Sequence, residues 1–207
     1  MINMAYELTK SQLDAINEMC NIGVGRAATS LSKILNRKIE VTVPSFSFLP
    51  ISECLNKSGN ESLCGLRLAM EGDIKGETVL LFEESAAQTL SRMVCNSAGI
   101  ESAWSREEEN GAFCEFANIF IGNFLNAISD MLCFRITPGL PQETATSLRL
   151  VLENLMHMES MSSVSNYLLL INSAFFVSEK NIEGEILLFF TDDSLQLLLG
   201  RLQNKII

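Results

Sequence analysis

Residues 13–35 read LDAINEMCNIGVGRAATSLSKIL, and this stretch decides the fold that the sequence predicts. Its apolar residues recur at steps of three and four, which predicts a long helix with one buried stripe. That stripe comprises Leu13, Ile16, Cys20, Val24, Ala27, Leu31 and Ile34. Asp14, Glu18 and Asn21 recur at the same steps, and Gly25 and Ala28 continue their line with almost no side chain. A carboxylate, a carboxamide and bare backbone on one exposed face indicate a docking surface.

The rest of the chain alternates between strand and helix patterns. Thr9 is a good N-cap for the first helix, with Gln12 as its capping-box partner. The patterns predict strands over 38–43, 63–71, 76–82, 167–177 and 184–190, and helices over 51–55, 83–94, 106–133, 145–156 and 192–202. Pro44 is expected to end the first strand.

The second half of the chain repeats the first. Glu18, Asn21, Gly25 and Pro44 recur 97 positions later as Glu115, Asn118, Gly122 and Pro141. GETVLLF at Gly76 recurs 108 positions later as GEILLFF at Gly184, which places 11 extra residues in the second copy between Pro141 and Gly184. The repeats, about 9–95 and 106–203, predict an α+β fold of pseudo-twofold symmetry, a mostly antiparallel sheet covered by long helices. No linker separates them, so residues 1–207 are expected to form a single domain.

Composition excludes several classes of function. The 207 residues carry a net charge of −10 and 47% hydrophobic residues, enough for a sizeable core. Nucleic acids and anionic membranes require basic patches, so neither is expected as a partner. The longest apolar runs, such as Ile186–Phe190, have the length of a strand, and the first ten residues lack an apolar signal-peptide core. A cytoplasmic protein without membrane insertion is therefore expected.

Cysteine and histidine usage predicts neither a metal site nor a catalytic triad. The six cysteines form no C-x-x-C pair, and the single histidine, His157, has no cysteine at metal-ligand spacing. Reduced, mostly buried thiols are expected. Phe113, Phe116, Phe120 and Phe124 have the spacing of a helix face in the core, and Glu107–Glu109 are expected to be a solvated helix start.

The repeated residues also carry a family resemblance. Asp14, Glu18, Asn21 and Pro44 have the spacing of an Asp/Ser-x3-Glu-x2-Asn-x22-Pro pattern, and NIGVGRAATSL at 21–31 and GDIKGETVLLF at 72–82 accompany it. Together they resemble the CheC-type chemotaxis phosphatases, the family that includes CheX and FliY. The resemblance covers nearly the whole chain, and its two-copy layout is similar to CheC rather than to single-copy CheX. The second copy departs from the pattern because Gly111 stands where Asp or Ser is expected.

The resemblance implies hydrolysis of the aspartyl phosphate of a CheY-like response regulator. Asn21 and Asn118 would orient the attacking water, and Glu18 and Glu115 would pair with the regulator's active-site lysine. Asp14 would support the contact, and Gly25 and Gly122 would let the partner approach the helix. No cofactor or metal of the chain's own is expected, since the regulator supplies Mg²⁺. Two sites in one chain are compatible with a monomer.

Other functions stay open at this stage. A binding module with weak or no catalysis is the alternative, because proteins of the CheC type can also bind the receptor deamidase CheD. A structural flagellar component is less favoured, since no switch domain is expected after Ile207. Gly111 costs about 1 kcal/mol relative to alanine in a helix, which predicts a looser start of the second helix. The alternative for the second site is that it is a relic of duplication.

Overall fold

The computed structural model alternates helices and strands as the sequence predicts. It describes residues 8–57, 59, 62–97, 104–144, 147–157, 164–177 and 180–204. The elements in chain order are α1 (Lys10–Ile34), β1 (Ile39–Pro50), α2 (Ile51–Lys57), β2 (Leu63–Gly72), β3 (Gly76–Glu83), α3 (Glu84–Ser97), α4 (Arg106–Leu132), β4 (Ile136–Pro138), β5 (Gln142–Thr144), α5 (Leu148–His157), β6 (Val164–Val177), β7 (Lys180–Thr191) and α6 (Asp192–Asn204).

Both long helices begin with a capping box. At α1 the Thr9 hydroxyl accepts from the Gln12 N–H at 3.2 Å, and the Gln12 side chain accepts from the Thr9 N–H at 2.9 Å. Ser105 and Glu108 make the same pair of bonds at α4, and the bonds that the Glu108 carboxylate accepts from the Ser105 N–H and hydroxyl lower its pKa. A box satisfies N–H groups that the first helical turn cannot pair. α4 is helical from Arg106 onwards, and the loosening predicted at Gly111 stays a prediction.

The described strands form one seven-stranded antiparallel sheet, and its register displays the internal symmetry. The order is β1–β6–β7–β3–β2–β4, with β5 paired to β2. At the centre of the β3–β7 pair, Val79 lies opposite Leu187, and these two residues are equivalent in the repeated GETVLLF and GEILLFF segments. A pseudo-twofold axis therefore passes between two equivalent residues. The predicted fold class, an antiparallel sheet covered by helices, is confirmed.

The outermost strands are exchanged between the repeats. β1 of the first repeat pairs with β6 of the second, whereas β4 and β5 of the second repeat pair with β2 of the first. Ile39 at the start of β1 and Ile136 at the start of β4 are equivalent, 97 positions apart. We infer from this exchange that the two repeats fold as one unit.

The 11 extra residues of the second repeat divide between two places. Arg67 pairs with Val79, and Leu170 pairs with Leu187, so Arg67 and Leu170 are equivalent at an offset of 103. Six extra residues therefore precede this point of β6, in the part of the chain that includes α5. The other five extend the β6–β7 hairpin, whose far end pairs with the start of β1.

Helices cover both faces of the sheet. One core cluster joins α1, α3, α4 and α6 to one face, through residues such as Leu80 and Phe82 of β3. A smaller cluster joins α2 and α5 to the other face, through Val79 and Leu81. β3 and β7 are therefore buried on both sides, which explains why their sequences are nearly continuous apolar runs.

Helix α4 supplies the aromatic centre of the larger cluster. Phe116, Phe120 and Phe124 are fully buried, and Phe113 is 8% exposed, as predicted for a core face. The Phe82 and Phe175 rings of the sheet contact this row at centroid distances of 5.1–6.0 Å. Within the described residues α4 is also long and apolar enough to cross a membrane, although the sequence predicts apolar runs no longer than a strand. A buried core helix meets the same criteria, and most of α4's apolar residues lie in this cluster.

The predicted end of the first strand is wrong, and so is the predicted burial of two residues of α1. The first strand does not end at Pro44: β1 continues to Pro50, with a register shift between Thr42 and Ser45 that accommodates the proline. Leu13 and Ile34 are 39% and 54% exposed, although both were predicted to lie in the buried stripe of α1. The other predicted elements are confirmed with boundaries moved by a few residues.

Candidate functional site

The first candidate face lies on α1. Asp14, Glu18, Asn21 and Gly25 are all exposed, as the stripe predicts. The opposite side of the helix is held in the core by Ile16, Cys20, Val24, Ala27 and Leu31, each 2% exposed or less. Ala28 departs from the prediction: it is 5% exposed and belongs to the packed side rather than to the polar stripe. We call Asp14, Glu18, Asn21 and Gly25 the α1 face.

The second candidate face lies on α4. Glu115 and Asn118 are exposed, and Gly122 is half-buried. Gly111, which replaces the expected Asp or Ser, is exposed one turn earlier. The buried residues Phe116, Ala117 and Ile121 fix the helix from below and leave this side open. We call Gly111, Glu115, Asn118 and Gly122 the α4 face.

The two helices that carry these faces pack against each other. A Cβ atom built on Gly23 would lie 2.6 Å from Cδ2 of Phe124, so the ring occupies the space that any larger residue would need. The Ser30 hydroxyl donates to the Asn123 side-chain oxygen at 2.8 Å, and Arg26 pairs with Asp130 at 2.5 Å. The α1–α4 pair therefore presents both faces from one packed unit.

Two glycines of α1 that are two residues apart have opposite surroundings. Gly23 is buried against Phe124 and is required by packing, a role that the sequence analysis missed. A Cβ atom on Gly25 would meet nothing within 4 Å, and the same holds for Gly122 on α4. Glycine inside a helix costs about 1 kcal/mol relative to alanine. Nothing that the described residues place around Gly25 and Gly122 offsets this cost.

The side-chain amide of Asn21 is bound to its own helix. Its Nδ2 atom donates to the Asn17 backbone carbonyl at 2.9 Å and lies 3.2 Å from the Asn17 side-chain oxygen. Asn118 has no such bond within the described residues, and Cys114 stands at the position equivalent to Asn17. The repeat aligns Asn17 with Cys114, so the sequence already indicated that the two faces differ at this position. The hydrogen bond from Asn21 to Asn17 is evident only from the structure.

The cysteines near the faces are poor nucleophiles. Cys20 adjoins Asn21 in sequence, but its side chain is fully buried, and burial raises its pKa to about 12. Burial, and then the nearby Glu143 carboxylate, raise the pKa of Cys114. Nucleophilic cysteines react as thiolates, which these environments disfavour. All six cysteines are free; three are buried, two are half-buried and Cys133 is exposed, so burial is less complete than predicted.

The described residues contain no group of three or more His, Cys, Asp or Glu side chains that could hold a metal ion. His157 lies at the end of α5. The expectation that the chain needs no metal or cofactor of its own stays a prediction. Each face presents a carboxylate and a carboxamide on a rigid helix. These side chains can position a reactant that carries its own electrophile.

The sequence matches known proteins along most of its length. A family model described as the CheC-like family matches residues 12–48, which include Glu18 and Asn21. The CheY-P phosphatase CheC of Bacillus subtilis is 25% identical over an alignment of 191 residues, which covers 90% of this chain and 90% of that protein. The flagellar motor switch phosphatase FliY of the same organism is 29% identical over 137 residues, which cover 66% of this chain and 36% of FliY.

Solved structures share the fold. Thermotoga maritima FliY superposes with a TM-score of 0.73 at 18% identity, covering 97% of this chain and 100% of that chain. The FliM middle domain of Helicobacter pylori gives a TM-score of 0.61 at 13% identity, covering 94% of this chain and 99% of that one. At these identities the structural matches establish the fold and nothing further. The sequence matches confirm the predicted resemblance to the CheC-type proteins: the chain is similar to CheC and to FliY.

Proposed function

We propose that this protein hydrolyses the aspartyl phosphate of a CheY-type response regulator. The observation that carries the proposal is the doubled Glu-x-x-Asn pair, exposed on two packed and symmetry-related helices at Glu18 and Asn21 and at Glu115 and Asn118. The names of the CheC and FliY relatives, a CheY-P phosphatase and a flagellar motor switch phosphatase, support the same reaction.

The proposed reaction requires little from the chain beyond positioning. Water oxygen attacks phosphorus, the bond between phosphorus and the aspartyl oxygen breaks, and the aspartate leaves as a carboxylate. The water's proton passes to the released phosphate or to solvent, so atoms and charge balance. An acyl phosphate is already activated, and the regulator contributes its own Mg²⁺ and lysine. Placing the water in line with the breaking bond is then the main catalytic task.

The side chains of each face suit that task. The oxygen of a carboxamide can accept a hydrogen bond from water, so Asn21 and Asn118 orient the attacking water. Glu18 and Glu115 lie one turn earlier on the same side and pair with the regulator's lysine. Asp14 adds a second carboxylate one further turn back on α1 alone, where the α4 face has Gly111.

The helix glycines provide the clearance that insertion requires. Because a Cβ on Gly25 or Gly122 would meet nothing inside the described chain, the bare backbone there is open towards a partner. The regulator approaches this bare turn while the Glu and Asn side chains of the preceding turns enter its phosphorylation site. The packed α1–α4 pair supplies the rigidity that keeps the loss of conformational entropy on binding small.

A phosphate-release assay tests the proposal. The chain is mixed with a CheY-type regulator labelled at its aspartyl phosphate, and the release of phosphate is followed over time. The unmodified chain should accelerate release, and the double variant Asn21→Ala with Asn118→Ala should return it to the regulator's own rate. Asn56→Ala, at an exposed asparagine of α2 on the other face of the sheet, is the matched control and should retain full acceleration.

Acceleration that survives the double asparagine variant would overturn the proposed roles. A complex with the regulator but no acceleration by the unmodified chain would favour the binding-module alternative. In that case co-elution with CheD would test the adaptor role that the resemblance permits. Both the CheD contact and the cytoplasmic location stay predictions.

A further inference from the structure

The side-chain amide of Asn21 has one end fixed and one end free. Its Nδ2 atom donates to the Asn17 backbone carbonyl at 2.9 Å and approaches the Asn17 side-chain oxygen at 3.2 Å. A carbonyl oxygen can only accept, so the end of Asn21 that faces it must be the NH₂ group. The Oδ1 atom of Asn21 makes no recorded hydrogen bond within the described residues and is left for a ligand.

This orientation matches what an attacking water needs. A water molecule that points a lone pair at phosphorus directs its two O–H groups elsewhere, and each of them needs an acceptor. An Asn side chain turned by 180° about its terminal bond would present NH₂ to that water and would compete for the same lone pair. Both acceptors of Asn17 hold the amide nitrogen, and the side-chain oxygen is the one that depends on the residue type, since every residue supplies a backbone carbonyl at this position.

The α4 face lacks this arrangement. Cys114 occupies the position equivalent to Asn17, and its sulfur is only a weak acceptor. The described structure records no hydrogen bond from the Asn118 amide to Cys114 or to another residue. Within the described residues, no hydrogen bond therefore restricts the side-chain torsions of Asn118 or the orientation of its amide.

We infer that Asn17 is a positioning residue, which holds the Asn21 amide with its oxygen directed towards the attacking water and makes the α1 face the faster of the two sites. The inference rests on the proposed phosphatase function and extends it to a residue outside the Glu/Asn pattern. A side-chain hydrogen bond of ordinary strength corresponds to a rate difference of about three- to tenfold.

Variants in which only one of the two faces can act isolate the effect of Asn17. With Asn118→Ala present, only the α1 face acts, and Asn17→Leu should lower kcat about three- to tenfold with little change in KM. Asn17→Asp keeps an acceptor oxygen at the same place and should retain kcat, with any effect of the added charge appearing in KM. With Asn21→Ala present, only the α4 face acts, and Cys114→Asn should raise kcat by a similar factor.

A second measurement does not depend on turnover. In the free protein, hydrogen exchange of the Asn21 side-chain NH₂ should be slower than that of Asn118, and Asn17→Leu, which keeps the backbone carbonyl, should reduce the difference. Equal loss of kcat in Asn17→Leu and Asn17→Asp, or equal exchange at Asn21 and Asn118, would overturn the inference. Failure of the unmodified chain to accelerate release would instead count against the proposed function, and the exchange comparison would still decide the role of Asn17.

Discussion

The α1 face and the α4 face carry the same Glu/Asn pair but differ in the side chains next to it. The α1 face has Asp14 one turn before Glu18 and has Asn17 bound to the Asn21 amide. The α4 face has Gly111 and Cys114 at the equivalent positions. The comparison teaches that duplication preserved the groups that would meet the substrate, whereas the groups that orient them differ between the copies.

The largest expected effect is the difference in phosphatase rate between the Asn21→Ala and Asn118→Ala variants. If the α1 face is about three- to tenfold faster, Asn21→Ala should lower the total rate about four- to elevenfold, whereas Asn118→Ala should lower it by about a quarter or less. Steady-state phosphate release at saturating regulator measures both. Equal losses from the two substitutions would show that the faces are equivalent and would remove the basis of the comparison.

The neighbouring glycines of α1 provide the next test. Gly23→Ala places a methyl group against the Phe124 ring, and we expect a loss of about 1–3 kcal/mol in the free energy of unfolding. Gly25→Ala meets open space and should raise stability by about 0.5–1 kcal/mol while weakening regulator binding. Urea denaturation and KM measure these effects separately. A destabilised Gly25→Ala variant, or an unaffected KM, would contradict the clearance role.

Restoring the missing acid should strengthen the α4 face. Gly111→Asp recreates the Asp-x3-Glu-x2-Asn pattern. Its gain in helix propensity over glycine is offset by repulsion from Glu107 and Glu115, each four residues away, so stability should change by less than about 0.5 kcal/mol. In the Asn21→Ala background the residual phosphatase rate should increase. Gly111→Ala serves as the control, since it gives the helix stability without the carboxylate. An equal rate in the two variants would show that the acid has no role.

The smallest expected effect is chemical modification of the thiols. Cys133 is exposed and should react first with iodoacetamide at pH 8, Cys114 should follow slowly, and Cys20 should stay unmodified in the folded protein. Burial disfavours the thiolate of both Cys20 and Cys114, so a rise in pH should speed the reaction of half-buried Cys114 first. Peptide mapping by mass spectrometry gives the order. Modification of Cys114 should impair only the α4 face, and rapid reaction at Cys20 would contradict its burial.

The sequence predicted the features that repeat and missed those that depend on a partner in space. The offset between Glu18 and Glu115 located both faces, because solvent-exposed side chains on a helix follow directly from its period. Gly23 was missed because its neighbour, Phe124, is 101 residues away and no local pattern joins them. Asn17 stood inside the quoted stretch, but its role depends on a side-chain conformation.

The strand through Pro44 shows a different limit. A proline removes one ladder hydrogen bond, and ending the strand there is the ordinary expectation. The sheet instead absorbs it as a register shift, because β1 is an edge strand with pairing on one side only. The capping box of α4 is the opposite case, since Ser-x-x-Glu at 105–108 was legible in the sequence and was missed.

The exchanged outer strands also determine when the protein can fold. β1 forms its ladder with β6, so residues 39–50 must wait for residues 164–177 to be synthesised. Pairing across such a distance in sequence is slow, since the entropy of closing the loop is lost before the contacts form. The first half of a nascent chain therefore leaves the ribosome with β1 unpaired. An unpaired strand edge is prone to aggregation, and the same topology that unites the two faces makes the half-made protein vulnerable during translation.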